Sequence, residues 1–241
     1  MSTETTPKPV SEVWRPELTR LPELTFGRRL FRCFVRGFCR LVVDICTRPT
    51  VRGLENYPRQ GPALLVMNHL GDPDPFLVLG YLPEFPESVG KIELRDIHVL
   101  GWAMETLGII WVHRGQADRR AIGATLDGLR QGRRVLIAPE GRESLTGALE
   151  PGTEGAAFLA LKAGVPVVPL VLTGTETRRI FGNLKKLRRT PVSLTMGKPF
   201  VLQGEGREAV REGTRQIMES LARLLPPEYR GVYSYVEENN A

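Results

Sequence analysis

One short stretch gathers residues able to move a proton: Asn68-His69-Leu70-Gly71-Asp72-Pro73-Asp74-Pro75-Phe76. Four residues separate His69 from Asp74, and Gly71 and Pro73 in that interval favour a tight turn. Such a turn can fold the Asp74 carboxylate back onto one imidazole nitrogen. The acid then fixes the tautomer, orients the ring and stabilises the imidazolium, which leaves the other nitrogen to accept a proton. The same spacing also fits a loop histidine followed by an aspartate that caps the next helix, so the residues alone leave both readings open. The apolar run 63–67 just before them reads as a buried strand. The polar groups therefore emerge at a strand end, where α/β proteins place their sites.

Other chemistries find less support. There is no G-x-S-x-G elbow of an α/β-hydrolase. His98 and His113 have no companions at metal-ligand spacing, so both read as packed or surface histidines and no metal is expected. Cys33, Cys39 and Cys46 are odd in number and lack a CxxC pair, which suits small apolar residues in a reducing compartment. Lys185-Lys186-Leu187-Arg188-Arg189 is a basic loop, either a solvated cluster or a contact for a membrane surface or acyl carrier. It has no stacking aromatics beside it, so a nucleic-acid partner is not expected.

Asn68-His69 with Asp74 resembles the NHx₄D motif of the glycerolipid acyltransferases, the PlsC-like lysophosphatidic acid acyltransferase group. Gly108-Ile109-Ile110-Trp111-Val112-His113-Arg114 is similar to that family's second motif, an apolar strand ending in Arg. Ala138-Pro139-Glu140-Gly141-Arg142-Glu143-Ser144 is similar to the third, FPEGTRS, and Val165-Pro166-Val167-Val168-Pro169-Leu170 to the fourth, VPIVPV. The four stand in the family's order, and the resemblance covers about residues 50–200.

The resemblance implies transfer of a fatty acyl group from acyl-CoA or acyl-ACP, a co-substrate rather than a cofactor. The acceptor would be the hydroxyl of a lysophospholipid, 1-acylglycerol 3-phosphate in the first instance, with phosphatidic acid as product. His69 would be the general base and Asp74 its partner. A thioester is already activated, so no nucleophilic Ser or Cys is required. Asn68, Lys91, Arg114, Glu140, Gly141 and Arg142 would bind the acceptor, Arg114 by paired hydrogen bonds to a phosphate and Gly141 by close backbone approach. Positions 142 and 143 depart from the pattern. They read Arg-Glu where the family has Thr-Arg, so the phosphate-binding Arg is displaced by one residue. Arg142 can serve from there, or the acceptor headgroup differs. Two further readings keep the fold: an acyltransferase for another lipid acceptor, and a non-catalytic lipid-binding protein.

The elements that must position these groups are legible as periodicity. The pattern predicts a helix over 26–46, with Arg28, Arg32, Arg36 and Arg40 on one arc and Leu30, Phe31, Phe34, Phe38, Leu41, Val42 and Ile45 on the other. It is expected to lie in a membrane interface, Phe face among acyl chains and Arg arc among headgroups, or else to pack on the core with the Arg arc in water. Strands are expected over 63–67, 88–94, 109–112, 135–138, 165–173 and 192–196. Helices are expected over 76–82, with Asp74 as its cap, and over 99–107, 117–131, 153–163 and 207–225. Lys91 falls in the second strand, facing solvent. Pro166 and Pro169 bracket a strand read as a sheet edge. The alternation points to an α/β fold, a mixed and largely parallel central sheet with helices on both faces, preceded by the amphipathic helix.

Residues 1–24 read as a loosely ordered leader, 25–48 as the membrane-interface helix and 49–241 as a single domain. Lys and Arg number 33 against 27 Asp and Glu, a net charge of +6 that admits nucleic acid, an anionic membrane or a phosphorylated substrate as partner. No apolar run reaches the roughly 18 residues of a membrane span, and residues 1–23 lack the apolar stretch of a secretory signal. A multi-span transporter and a secreted disulfide scaffold are excluded. The expected location is cytoplasmic, peripheral on the inner face of the membrane.

Overall fold

The computed structural model describes residues 10–115 and 118–236. The expected leader lies outside these residues as far as position 9, and the expected start of the 117–131 helix falls on a position outside them.

Seven strands form one sheet in the order β1-β7-β6-β2-β5-β3-β4. They are β1 (Thr47–Arg52), β2 (Ala63–Met67), β3 (Glu87–Lys91), β4 (Ile110–Val112), β5 (Arg134–Ile137), β6 (Val167–Thr173) and β7 (Thr190–Met196). Only β6 and β7 pair antiparallel; every other pair is parallel. The fold is therefore mixed, mostly parallel α/β. β2 is buried at every position and sits between β5 and β6, which explains its uninterrupted apolar run. Pro169 lies inside β6, an interior strand, so the sheet-edge expectation is corrected. Its carbonyl still accepts from Gly197 N–H (2.8 Å), at the end of the β6–β7 ladder.

One face of the sheet is covered by α4 (Arg119–Arg130), α5 (Gly155–Ala163) and α7 (Gly206–Leu224), through Leu126, Leu129, Ala157, Ala160, Ile217 and Leu221. The other is covered by α1 (Phe26–Cys46), α2 (Asp74–Tyr81) and α6 (Thr177–Leu184), through Val43, Leu77, Val78 and Ile180. α3 (His98–Leu107) crosses from β3 to β4. The predicted strand 88–94 stops at Lys91, and Ile92–Asp96 turns as a 3-10 helix instead. β1 and α6 were not anticipated.

The helix over 26–46 appears with the expected bounds, capped by Thr25, whose hydroxyl accepts from Arg28 N–H. Core packing with the Arg arc in water is reversed; the apolar arc is outward, as the interfacial arrangement has it, but the Arg arc is not. The arginine arc faces the domain. Arg32 pairs with the buried Glu87 carboxylate through both terminal nitrogens (3.0 and 2.8 Å) and donates from Nε to Leu107 O (2.8 Å). Arg28 reaches Thr106 O, and Arg40 lies over the Tyr81 ring at 4.7 Å. The apolar arc faces outward instead: Phe26 is 82% exposed and Phe34 68%, with Leu30, Phe38, Leu41 and Ile45 exposed beside them. The geometry has a local cause. α1 crosses α2 at Gly80, where a Cβ would stand 2.9 Å from Arg40 N, so the backbones approach too closely for large side chains between them. Cys33 is also exposed, contrary to its expected packing, whereas Cys39 is buried.

Candidate active site

β2, β3, β4, β5 and β6 run parallel, so their C-terminal ends share one edge of the sheet. His69 leaves that edge after β2, Lys91 ends β3, Arg114 follows β4 and Glu140 follows β5.

His69 Nδ1 stands 2.7 Å from Asp74 Oδ2. The same oxygen accepts from Leu70 N–H (2.6 Å) and Gly71 N–H (3.1 Å), so the turn folds around the carboxylate. Asp74 is fully buried at the first turn of α2, whose cap is Pro73; the expected helix-capping Asp74 is not observed. Gly71 is required where it is. A Cβ there would stand 2.5 Å from Thr177 Oγ1 and 2.8 Å from Thr177 N, on the neighbouring α6. With Nδ1 given to Asp74, Nε2 is the free nitrogen of a side chain 28% exposed, and no described residue bonds it. Burial lowers the imidazole pKa, but the Asp74 hydrogen bond and charge, with Glu143 and Glu140 adding, carry it above its ordinary 6.5.

Asn68 is buried, and its amide exchanges two hydrogen bonds with Leu172, donating to the carbonyl (2.9 Å) and accepting from the N–H (2.8 Å). It pins the end of β2 to β6 and holds His69 at the edge. Glu140 is buried beneath the same turn. It accepts from His69 N–H (3.2 Å) and Glu150 N–H (2.8 Å), and burial pushes its carboxyl up to about 7 against those two donors. Gly141 takes φ +74°, a left-handed turn that glycine alone adopts freely. Ser144 N–H then donates to His69 O (2.8 Å), tying the two loops together.

The cations divide. Arg142 is half-buried and donates to one oxygen of Glu150, Oε2, from both Nε (3.0 Å) and Nη2 (2.6 Å). Glu143, the next residue, lies in the field of His69, Asp72, Asp74 and Lys91, and its pKa is raised, chiefly by burial. Lys91 is half-buried rather than solvent-facing. Burial opposes ionisation of Glu93, but hydrogen bonding, chiefly with Ser11, and then the charges of Arg114 and Lys91 hold its carboxyl below the ordinary value. Arg114 is also tied through its backbone to Ser11.

A second pair escaped the reading of the sequence. His113 Nδ1 stands 2.7 Å from Asp118 Oδ2, with the same four-residue interval as His69 and Asp74. That repeated interval was the available signal. Here Nε2 accepts from Arg15 N–H (2.9 Å), Asp118 caps α4, and the ring is fully buried against Trp14. The ring has no nitrogen to spare. Glu150 and Thr177 were missed as well, because their roles depend on contacts between loops. Among the described residues, no three of His, Cys, Asp or Glu are grouped to hold a metal ion.

Residues 48–173 match the family model described as Acyltransferase. The chain belongs to the acyltransferase family. The matched segment contains both His69 and Asp74 and all the candidate cations. This acyltransferase-family chain is 28% identical over 221 residues to a 1-acyl-sn-glycerol-3-phosphate acyltransferase of Pseudomonas aeruginosa, covering 87% of this chain and 84% of that protein. It is 32% identical over 182 residues to the chloroplastic 1-acyl-sn-glycerol-3-phosphate acyltransferase BAT2 of Brassica napus, covering 72% of this chain. The match spans 51% of that relative's length. The crystal structure of PlsC, the 1-acyl-sn-glycerophosphate acyltransferase from Thermotoga maritima, superposes with a TM-score of 0.62 over 83% of this chain and 84% of that one, at 24% identity. That likeness establishes the fold.

Proposed function

We propose that this chain transfers a fatty acyl group from an acyl-CoA or acyl-carrier-protein thioester to the free hydroxyl of 1-acylglycerol 3-phosphate, giving phosphatidic acid. The observation that carries the reading is His69, with Nδ1 on Asp74 and Nε2 open at the C-terminal edge of the sheet. Nε2 takes the proton of the acceptor hydroxyl as its oxygen attacks the thioester carbonyl. The tetrahedral intermediate collapses to the new ester and expels the thiolate, which recovers the proton from the imidazolium. Asp74 stabilises that imidazolium and keeps the proton on Nδ1 in the resting ring.

The acceptor phosphate is held by Arg114 and Lys91, which stand at the C-terminal ends of β4 and β3 on this edge. Asn68, Glu140 and Arg142 act as positioning residues, holding respectively the β2 end, the His69 backbone and the loop that follows Gly141. The exposed apolar arc of α1 rests in a lipid surface, where acceptor and product reside. No described helix is long and apolar enough to cross a membrane.

One observation favours a second acceptor. Arg142 is held by Glu150, and Glu143 sets a negative charge near His69 where the family's pattern has a cation. An amine-bearing lysolipid fits that charge better than a phosphate monoester. The test is release of free thiol from acyl-CoA by the purified protein with a panel of lysolipids. Release is expected with 1-acylglycerol 3-phosphate, and His69→Ala should lower it by on the order of 10²–10⁴-fold. Equal turnover by the variant would refute the base assignment, and release only with an amine-bearing lysolipid would select the second acceptor.

A further inference from the structure

Residues 177–204 carry seven Lys and Arg and no Asp or Glu. Their place in the fold gives that bias a use. β6 ends at the same edge as His69, and β7, antiparallel to it, begins there, so both ends of the connection through α6 lie at the active-site edge. α6 starts against the catalytic turn, where Asp72 N–H donates to Thr177 Oγ1 (3.0 Å). Eight residues of helix carry the chain about 12 Å from that contact to the basic loop. The far end of the loop is tied to α1. Arg189 donates from Nε to Thr47 O (2.8 Å) and from Nη2 to Asp44 O (2.6 Å), at the end of the helix whose Leu41 and Ile45 lie exposed.

Between these two ties, Lys185, Lys186, Leu187 and Arg188 are all exposed. The three cations have no ion pair with any described residue. Leu187 is 96% exposed and takes φ +54°, the only non-glycine residue with positive φ among those described. An apolar side chain thus stands at the tip of a loop, ringed by cations, in a conformation that non-glycine residues disfavour.

We propose that Lys185, Lys186, Leu187 and Arg188 form a contact for anionic phospholipid beside the active site, with the cations on headgroup phosphates and Leu187 at the acyl boundary. The contact rests on the reading that α1 docks on a lipid surface, and extends that surface toward His69. A lipid is favoured over an acidic carrier protein because the tip is apolar and the loop is tied through Arg189 to the end of α1, where Leu41 and Ile45 are exposed. The loop also raises the local concentration of an anionic acceptor next to the base.

The experiment is flotation of the full chain with vesicles of phosphatidylcholine alone, or of equal parts phosphatidylcholine and phosphatidylglycerol. The wild type should bind both, and the anionic vesicles more tightly. Lys185→Gln, Lys186→Gln and Arg188→Gln combined should lower binding to anionic vesicles by on the order of 100-fold, about fivefold per cation, with little change on neutral vesicles. Leu187→Ser should weaken binding to both. Arg189 is left in place to keep the loop tied, and an unchanged melting temperature verifies folding. An anionic preference that survives the triple substitution overturns the proposal, as does a wild type with no such preference. So does loss of binding to an acidic acyl carrier protein with vesicle binding intact. Failure of the α1 reading is distinct: neither neutral nor anionic binding would then respond to changes in the apolar arc. Failure of the acyl-transfer reading shows as absent thiol release with detergent-dispersed acceptor, whatever the vesicles do.

Discussion

Two histidines of this chain hold an aspartate at the same interval, and only one of them can act as a base. His113 has both nitrogens engaged, by Asp118 and by Arg15 N–H, in the buried interior. His69 has one nitrogen engaged and one open. Spacing made both pairs possible; what separates them is a backbone donor 98 residues away in sequence, which no local pattern displays. The residues around His69 also set its working range. Asp74, Glu143 and Glu140 raise its pKa above 6.5 against the lowering effect of burial. As the proposed general base His69 must be neutral, so turnover should fall as pH drops through a value above 6.5. Glu143→Gln removes one of the raising charges. The acid limb of kcat/KM against pH should therefore move to lower pH in that variant, with the rate at high pH nearly unchanged. A limb that stays in place would show that Glu143 is not in the field of the base.

At the scale of elements, periodicity located α1 to the residue but not the direction of its Arg arc. The reason is energetic. An Arg arc is ordinarily the wet face of a helix, yet here Glu87, at the start of β3, offers a buried carboxylate that Arg32 fills with both terminal nitrogens while Nε takes Leu107 O. Sequence shows the cations but not the acid 55 residues away that receives them. β1 escaped notice for a similar reason: Thr47–Arg52 is polar and Pro-containing, and forms a strand because β7 pairs with it. The α1 anchor is testable. Removing one member of a buried pair leaves the other uncompensated, at a cost of about 3–5 kcal/mol. Arg133, 3.3 Å from Glu87, should temper that cost. Arg32→Met is expected to destabilise the protein by about 3 kcal/mol in denaturant unfolding, and adding Glu87→Met should recover most of it. Additive losses would show that the pair is not what holds α1.

For the molecule as a whole, the inward arginines leave an apolar surface exposed among the described residues. The outward arc of α1 continues onto α3, where Trp102 packs edge-on against Phe31 at 5.7 Å and is itself 62% exposed, with Val99 and Ile97 exposed nearby. α3 follows β3, so its start lies toward the edge that carries His69. On the proposed function, a single lipid surface would meet α1 and the beginning of α3 and supply acceptors to the edge that carries His69. Patches of this kind are uncommon on monomeric soluble proteins and mark interaction sites. Burying one Phe side chain contributes about 1.5–3 kcal/mol, so Phe34→Ser with Phe38→Ser should weaken binding to neutral vesicles by on the order of 100-fold or more. The same variant should retain turnover of detergent-dispersed acceptor, because neither ring belongs to the His69 edge. Vesicle binding that survives the double substitution would mean that the apolar arc covers something other than lipid, and turnover lost in detergent would mean that α1 shapes the site itself.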